Sequence, residues 1–241
     1  MILQVDNLTK LYKNGRGISD ISFSVDRGEV LGMLGPNGSG KTTTMKAICG
    51  LTGHKAGSIM ICGQDATLHH ERAMRKTGSL IEAPALFDHM SAFRNLKMAA
   101  RFFDDVDDAR IREVLELCGM DKYEKEKCGT FSLGMRQRIG LALALLSKPE
   151  LLILDEPANG LDIEGMVQIR EIVKQAAQSG SAVLISSHLA HEIEQCATKT
   201  LIIYDGKMRA FESMDSILAE HPSLEDYFLM KVSGIRGEGA G

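Results

Sequence analysis

Nine residues, GPNGSGKTT from Gly35 to Thr43, have the order of a phosphate cradle. They fit G-x-x-x-x-G-K-[ST] and stand after the apolar run VLGML and before a helix expected to begin near Lys41. Gly35, Gly38 and Gly40 let the backbone curl after Pro36, so amide N–H groups of Asn37, Gly38, Ser39 and Gly40 and the helix start converge on one anion. In this pattern Lys41 reaches the β- and γ-phosphates, the Thr42 hydroxyl ligates Mg²⁺, and Thr43 completes the cradle.

Two acids stand in LLILDEP, Leu151 to Pro157. At the end of a buried strand beside a parallel neighbour they fall next to the phosphates. Asp155 suits the surroundings of Mg²⁺, and Glu156 suits a general base toward an attacking water. A third stretch, FSLGMRQRIGLALALL from Phe131 to Leu146, reads from Leu133 onward as a helix apolar on nearly all sides. Ser132 and Gly134 stand at its start, a second anion-facing helix N-terminus that suits a nucleotide held by another copy. A fourth, TGSLIEAPALF from Thr77 to Phe87, reads as a short strand ending in the carboxylate of Glu82 and broken at Pro84.

The elements that must hold these groups follow from periodicity. ILQVDNL and ISDISFSV alternate like strands and close on the turn Asp26-Arg27-Gly28-Glu29; VLGML reads as a strand buried on both faces. A hairpin is expected around GSIMICGQD. From Ser91 the period becomes helical, with Phe93, Leu96, Ala100 and Phe103 and then Ile111, Val114, Leu115 and Cys118 in register. Asp104, Asp105, Asp107 and Asp108 read as an inter-helix turn with an N-cap, since they lack the pattern of a calcium loop. LLILD, a helix with Met166, Ile169, Val173 and Ala176 on one face, AVLIS and a hairpin at Asp205-Gly206 restore the β pattern. The order implies an α/β fold whose core has a mostly parallel sheet. The expected division is 1–82 with 148–212 as α/β core and antiparallel β subdomain, 83–147 as a helical insert, and 213–241 as a C-terminal helix with a disordered tail, GIRGEGAG.

The bulk numbers narrow the classes. A chain of 241 residues buries a core without staples, and a formal net charge of -4 gives no footprint for nucleic acid. Five scattered cysteines without a C-x-x-C pair read as reduced core thiols. No signal peptide is legible in MILQVDNLTK, and IGLALALLSKPELLIL is interrupted by Lys148, Pro149 and Glu150, short of a membrane span. His69, His70, His89 and His191 are expected to face solvent.

Together these motifs resemble the ATP-binding subunit of an ABC transporter, a P-loop NTPase with a RecA-like core. That family opens the helix above with Leu-Ser-Gly-Gly-Gln; here Phe131, Ser132, Leu133, Gly134 and Met135 stand in its place, keeping the serine and the second glycine. The resemblance implies that Ser132, Gly134 and Met135 contact the γ-phosphate of a partner copy, and that Tyr12 stacks on adenine. It implies that Asn159-Gly160-Leu161-Asp162 crosses the dimer and that His188 senses the γ-phosphate. Glu82 holds a position usually occupied by glutamine, which reaches Mg²⁺ and faces the membrane subunit. With SLGMRQR, this departure resembles the subgroup exporting bacitracin-like and lantibiotic peptides for self-protection.

The implied protein is an ATPase using ATP and Mg²⁺ that dimerises on ATP binding, as a homodimer or heterodimer. It works with a polytopic membrane permease at the cytoplasmic face of the cell membrane, without nucleic acid. The same core driving mechanotransmission or sensing, and a soluble non-transport ABC ATPase, are the alternatives. A P-loop kinase or GTPase explains neither the signature helix nor His188. Recombination and chromosome ATPases need a coiled-coil insertion that this sequence lacks.

Overall fold

A computed structural model describes residues 1–236. β1 (Leu3–Leu11) and β2 (Gly17–Val25) pair antiparallel, followed by β3 (Val30–Leu34), the phosphate loop and α1 (Lys41–Ile48). The hairpin β4 (Ala56–Ile61) and β5 (Gln64–Asp65) leads through α2 (His70–Met74) to β6 (Thr77–Leu80). The helical insert holds α3 (Ala92–Ala100), α4 (Asp108–Leu117) and α5 (Leu133–Leu145). β7 (Leu151–Asp155), α6 (Ile163–Gln178), β8 (Ala182–Ser187), α7 (Ala190–Glu194), β9 (Lys199–Tyr204) and β10 (Lys207–Ser213) complete the core. α8 (Met214–Glu220) and α9 (Leu224–Arg236) close the described chain.

The strands form one sheet in the order β5-β4-β1-β2-β10-β9-β3-β8-β7-β6. Its β9-β3-β8-β7-β6 half is parallel, as expected of strands joined by helical crossovers. The other half is antiparallel, and β10 joins the two, antiparallel to β9 and touching β2 through the parallel pair Lys207–Ser19. The whole sheet is therefore mixed, because short hairpins tie β1, β2, β4 and β5.

Alternation along the central strands sends side chains to two cores. Val30, Leu34, Leu152, Leu154, Val183 and Ile185 pack with the helical insert and α6, while Leu31, Met33, Leu151, Ile153 and Leu184 pack with α1 and the β1–β2 hairpin. Every residue of β3, β7 and β8 is buried. The pairs Leu34–Ser187, Asp155–Ser186 and Leu80–Leu154 align the carboxyl ends of β3, β8, β7 and β6 on one edge.

Four expectations change. β6 ends at Leu80 rather than at Glu82: Glu82 takes a left-handed φ of 59°, and Pro84, two residues on, has no N–H to carry a ladder further. The C-terminal segment forms two helices: Pro222 holds His221 extended, and Ser213 and Ser223 cap the starts by accepting from Ser216 N–H and Asp226 N–H. Within the stretch expected to be disordered, residues 234–236 continue α9, and residues 237–241 lie outside the described residues. Asp107 is the N-cap of α4, accepting from Arg110 N–H at 2.8 Å. The five cysteines are free; four are buried, whereas Cys62, expected in the core, is half-buried. Burial raises the thiols of Cys49 and Cys118 to about 12. No described helix is long and apolar enough to cross a membrane.

Candidate nucleotide site

The phosphate loop depends on its glycines. Gly38 and Gly40 have φ of 80° and 115°. A Cβ on Gly35 would lie 2.2 Å from the Ile203 carbonyl oxygen, and one on Gly40 would lie 2.5 Å from Ile18 Cγ2. Gly40 precedes α1 without a side-chain cap, and the N–H groups of Lys41, Thr42 and Thr43 have no hydrogen-bond acceptor among the described residues. Ser39 Oγ, 3% exposed, also lacks a partner. Unpaired donors at a helix start, with open space around Gly38, fit an anion.

Lys41 is 4% exposed. Its ammonium donates to the carbonyls of Gly35 at 2.7 Å and Pro36 at 3.3 Å, and lies 3.2 Å from Glu156 Oε1. Thr42 Oγ1 donates to Asp155 Oδ2 at 2.7 Å. The other Asp155 oxygen accepts from Ser186 Oγ at 2.6 Å, and that hydroxyl accepts from the Glu156 N–H at 2.9 Å. Ser186 thus fixes both acids from the neighbouring strand, although no sequence motif singled it out. Glu156 adopts φ 45°, which turns it off the strand, and its Oε2 meets His188 Nδ1 at 2.8 Å. A carboxylate only accepts, so this contact puts the proton on Nδ1.

The hydroxyl of Thr42 and the carboxylate of Asp155 are hard oxygen donors of the kind Mg²⁺ takes. Among the described residues no group of three or more His, Cys, Asp or Glu could hold a metal ion. Glu82 does not join this cluster. Its carboxylate is mostly exposed and accepts from Lys46 Nζ at 2.6 Å.

The remaining expected residues lie elsewhere. Tyr12 follows β1 in the turn to β2, its ring exposed with the Lys10 ammonium 5.2 Å from the centroid. Ser132 is the N-cap of α5, accepting from Met135 N–H at 3.3 Å. Asn159, Gly160 and Leu161 form a turn, and Asp162 caps α6 by accepting from Gly165 N–H at 2.8 Å. The turn abuts the start of α5: a Cβ on Gly160 would lie 2.9 Å from Leu133 Cδ2, and one on Gly134 would lie 3.0 Å from Leu161 Cδ2. Among the described residues no hydrogen bond joins Ser132, Gly134 or Met135 to residues 35–43. The structure therefore makes two separate clusters. Leu133, expected to be buried, is 61% exposed beside Ser132. His69, His70, His89 and His191 are exposed as expected.

The family model described as "ABC transporter" matches residues 18–159, more than half of the chain. The chain belongs to that family, as an ATP-binding subunit that hydrolyses ATP to power transport. It is 38% identical over 208 residues to the bacitracin transport ATP-binding protein BcrA of Bacillus licheniformis, covering 86% of this chain and 68% of that protein. It is also 38% identical to the lantibiotic transport ATP-binding protein SrtF of Streptococcus pyogenes, covering 86% and 89% of the two chains. A solved ATP-binding subunit of an ABC transporter superposes with a TM-score of 0.87 at 27% identity, covering 96% of this chain and all of that one.

Proposed function

We propose that the chain powers export of an antimicrobial peptide or drug, as a cytoplasmic ATPase peripheral to the cell membrane and bound to a polytopic permease. The observation that carries the chemistry is Glu156 held between Lys41 and His188 beside the Thr42–Asp155 pair. The amides of the phosphate loop and α1 bind the nucleotide phosphates, and Lys41 neutralises the terminal one. Thr42 and Asp155 would hold Mg²⁺, with Ser186 orienting Asp155, and the ion would supply charge neutralisation at the phosphate oxygens. Glu156 takes the proton of the attacking water, and His188 keeps its carboxylate turned toward that proton.

The second cluster serves a second copy. Ser132, Gly134 and Met135 meet the nucleotide held by the partner, Asn159 to Asp162 line the crossing, and Tyr12 stacks on the adenine. The peptide cargo rests on the names of the two relatives above. With the base removed, Glu156→Gln should form a stable ATP-bound dimer by size exclusion; wild-type turnover in this variant would remove Glu156 from that role. Gentle solubilisation of host membranes should recover a permease with this chain, and recovery of ribosomes instead would sink the export reading.

A further inference from the structure

The segment after β6 carries a carboxylate at each end, and each is bound to a different helix. Glu82 Oε1 accepts from Lys46 Nζ at 2.6 Å, and Asp88 Oδ1 accepts from Arg136 Nη1 at 2.6 Å. Lys46 lies on α1 four residues past Thr42, hence on the same helix face one turn along. Arg136 lies on α5 four residues past Ser132. The segment is therefore strapped between the helix that binds phosphate and the helix that carries the signature.

Its two ends are not held alike. Near Asp88 the backbone is fixed several times: the buried Asn95 accepts from Phe87 N–H at 2.9 Å and donates to the Phe87 carbonyl at 3.2 Å, while Gly129 N–H donates to the Asp88 carbonyl at 3.0 Å. Arg136 is further tied to the Cys128 carbonyl at 3.1 Å. At the other end Glu82 is 62% exposed, and among the described residues Lys46 is the one group hydrogen-bonded to its side chain. The Glu82 hydrogen bond is the main reason the Lys46 ammonium holds its proton more tightly than usual, with Tyr12 and Asp155 adding weakly.

We propose that Lys46 is a positioning residue for Glu82. Lys46 holds the carboxylate on α1, and Glu82 leaves it when a divalent cation beside Thr42 and Asp155 competes for the same charge. A doubly charged ion outcompetes an ammonium for one carboxylate at equal distance, so the tether sets how much metal is needed to free this end. The Asp88 end stays on α5, so release at Glu82 frees the strap from the phosphate helix while leaving it on the signature helix. This inference rests on the nucleotide and metal reading above.

The test is a double-mutant cycle of Lys46→Met and Glu82→Gln with Lys46→Arg as the conservative control. The readouts are Mn²⁺ affinity, from the electron paramagnetic resonance signal of the free ion with a non-hydrolysable ATP analogue bound, and amide exchange of residues 81–88 without nucleotide. Lys46→Met should tighten Mn²⁺ by about three- to fivefold, the scale of one exposed ion pair, and speed exchange. Neither change should appear when Lys46→Met is made in the Glu82→Gln background, and Lys46→Arg should resemble wild type. Equal effects in both backgrounds, or weaker Mn²⁺ binding on Lys46→Met, would overturn the proposal while leaving the nucleotide reading intact. A wild-type chain that fails to bind the analogue overturns both.

Discussion

β7 has a glutamate just outside each end, and each sits between two basic side chains. Glu150, before the strand, is paired with Lys76 Nζ at 3.0 Å and with Arg27. Glu156, after it, lies 3.2 Å from Lys41 Nζ and 2.8 Å from His188 Nδ1. The difference is in those partners. Arg27 and Lys76 are about half exposed, and Arg27 otherwise ties down the Gly180 carbonyl; they close the amino end of the sheet. Lys41 is buried among loop carbonyls beside unpaired amides, and Glu156 is turned by a left-handed backbone. A charge cluster marks a working site only where its partners are also what a ligand would use.

That contrast is sharpest in turnover. Glu156→Gln should lower ATP hydrolysis about 100-fold or more, the range of a lost general base, while Glu150→Gln keeps the wild-type rate in the same phosphate-release assay. Equal losses would collapse the comparison. Lys41→Met should weaken nucleotide binding about 10- to 100-fold by calorimetry, as expected for removing a charged hydrogen-bond donor. Ser186→Ala leaves one oxygen of the buried Asp155 unpaired, which should cost about 1–3 kcal/mol in denaturant unfolding and also reduce turnover.

The smallest effect belongs to Glu150. Lys76 first, and Arg27 next, hold its carboxyl below the usual range of about 4.5. Its contribution is therefore full above the unfolded value and is lost as pH falls through the lower folded one. Partial exposure limits it to about 1 kcal/mol or less, so Glu150→Gln should lower Tm by about 2–4 °C at most at pH 7, with the gap closing below about pH 4. A gap that widens in acid would mean the carboxyl is not stabilised in its charged form.

What was legible in the sequence is what neighbouring residues enforce. The phosphate loop announces itself because its glycines, Lys41 and Thr42 lie within nine positions, and the cap Asp107 acts on an amide three residues away. The hydrophobic periods gave the helical insert and the parallel strands. Contacts between distant residues were not legible: Ser186 to Asp155 spans 31 positions, Lys46 to Glu82 spans 36, and Arg136 to Asp88 spans 48. The link between the two halves of the sheet, β10 to β2 through Lys207–Ser19, likewise leaves no local pattern. Pro222 between two serine caps does signal the break between α8 and α9, but it requires reading the proline and both caps together.

The close approach of α5 to β6 has a mechanical consequence. A Cβ on Gly78 would lie 1.9 Å from the Ala144 carbonyl oxygen, and one on Gly140 would lie 2.7 Å from Pro84 and 2.8 Å from Leu80 Cδ1. Gly78 brings β6 against the backbone of α5, and Gly140 lets Pro84 and Leu80 press against the helix, so this half of α5 acts as a fulcrum. Ser132 stands eight residues away, about 12 Å along the axis at 1.5 Å per residue, so a tilt of about 10° carries the serine about 2 Å. A displacement of that size is enough to make or break a hydrogen bond to a phosphate oxygen, with no rearrangement of the sheet.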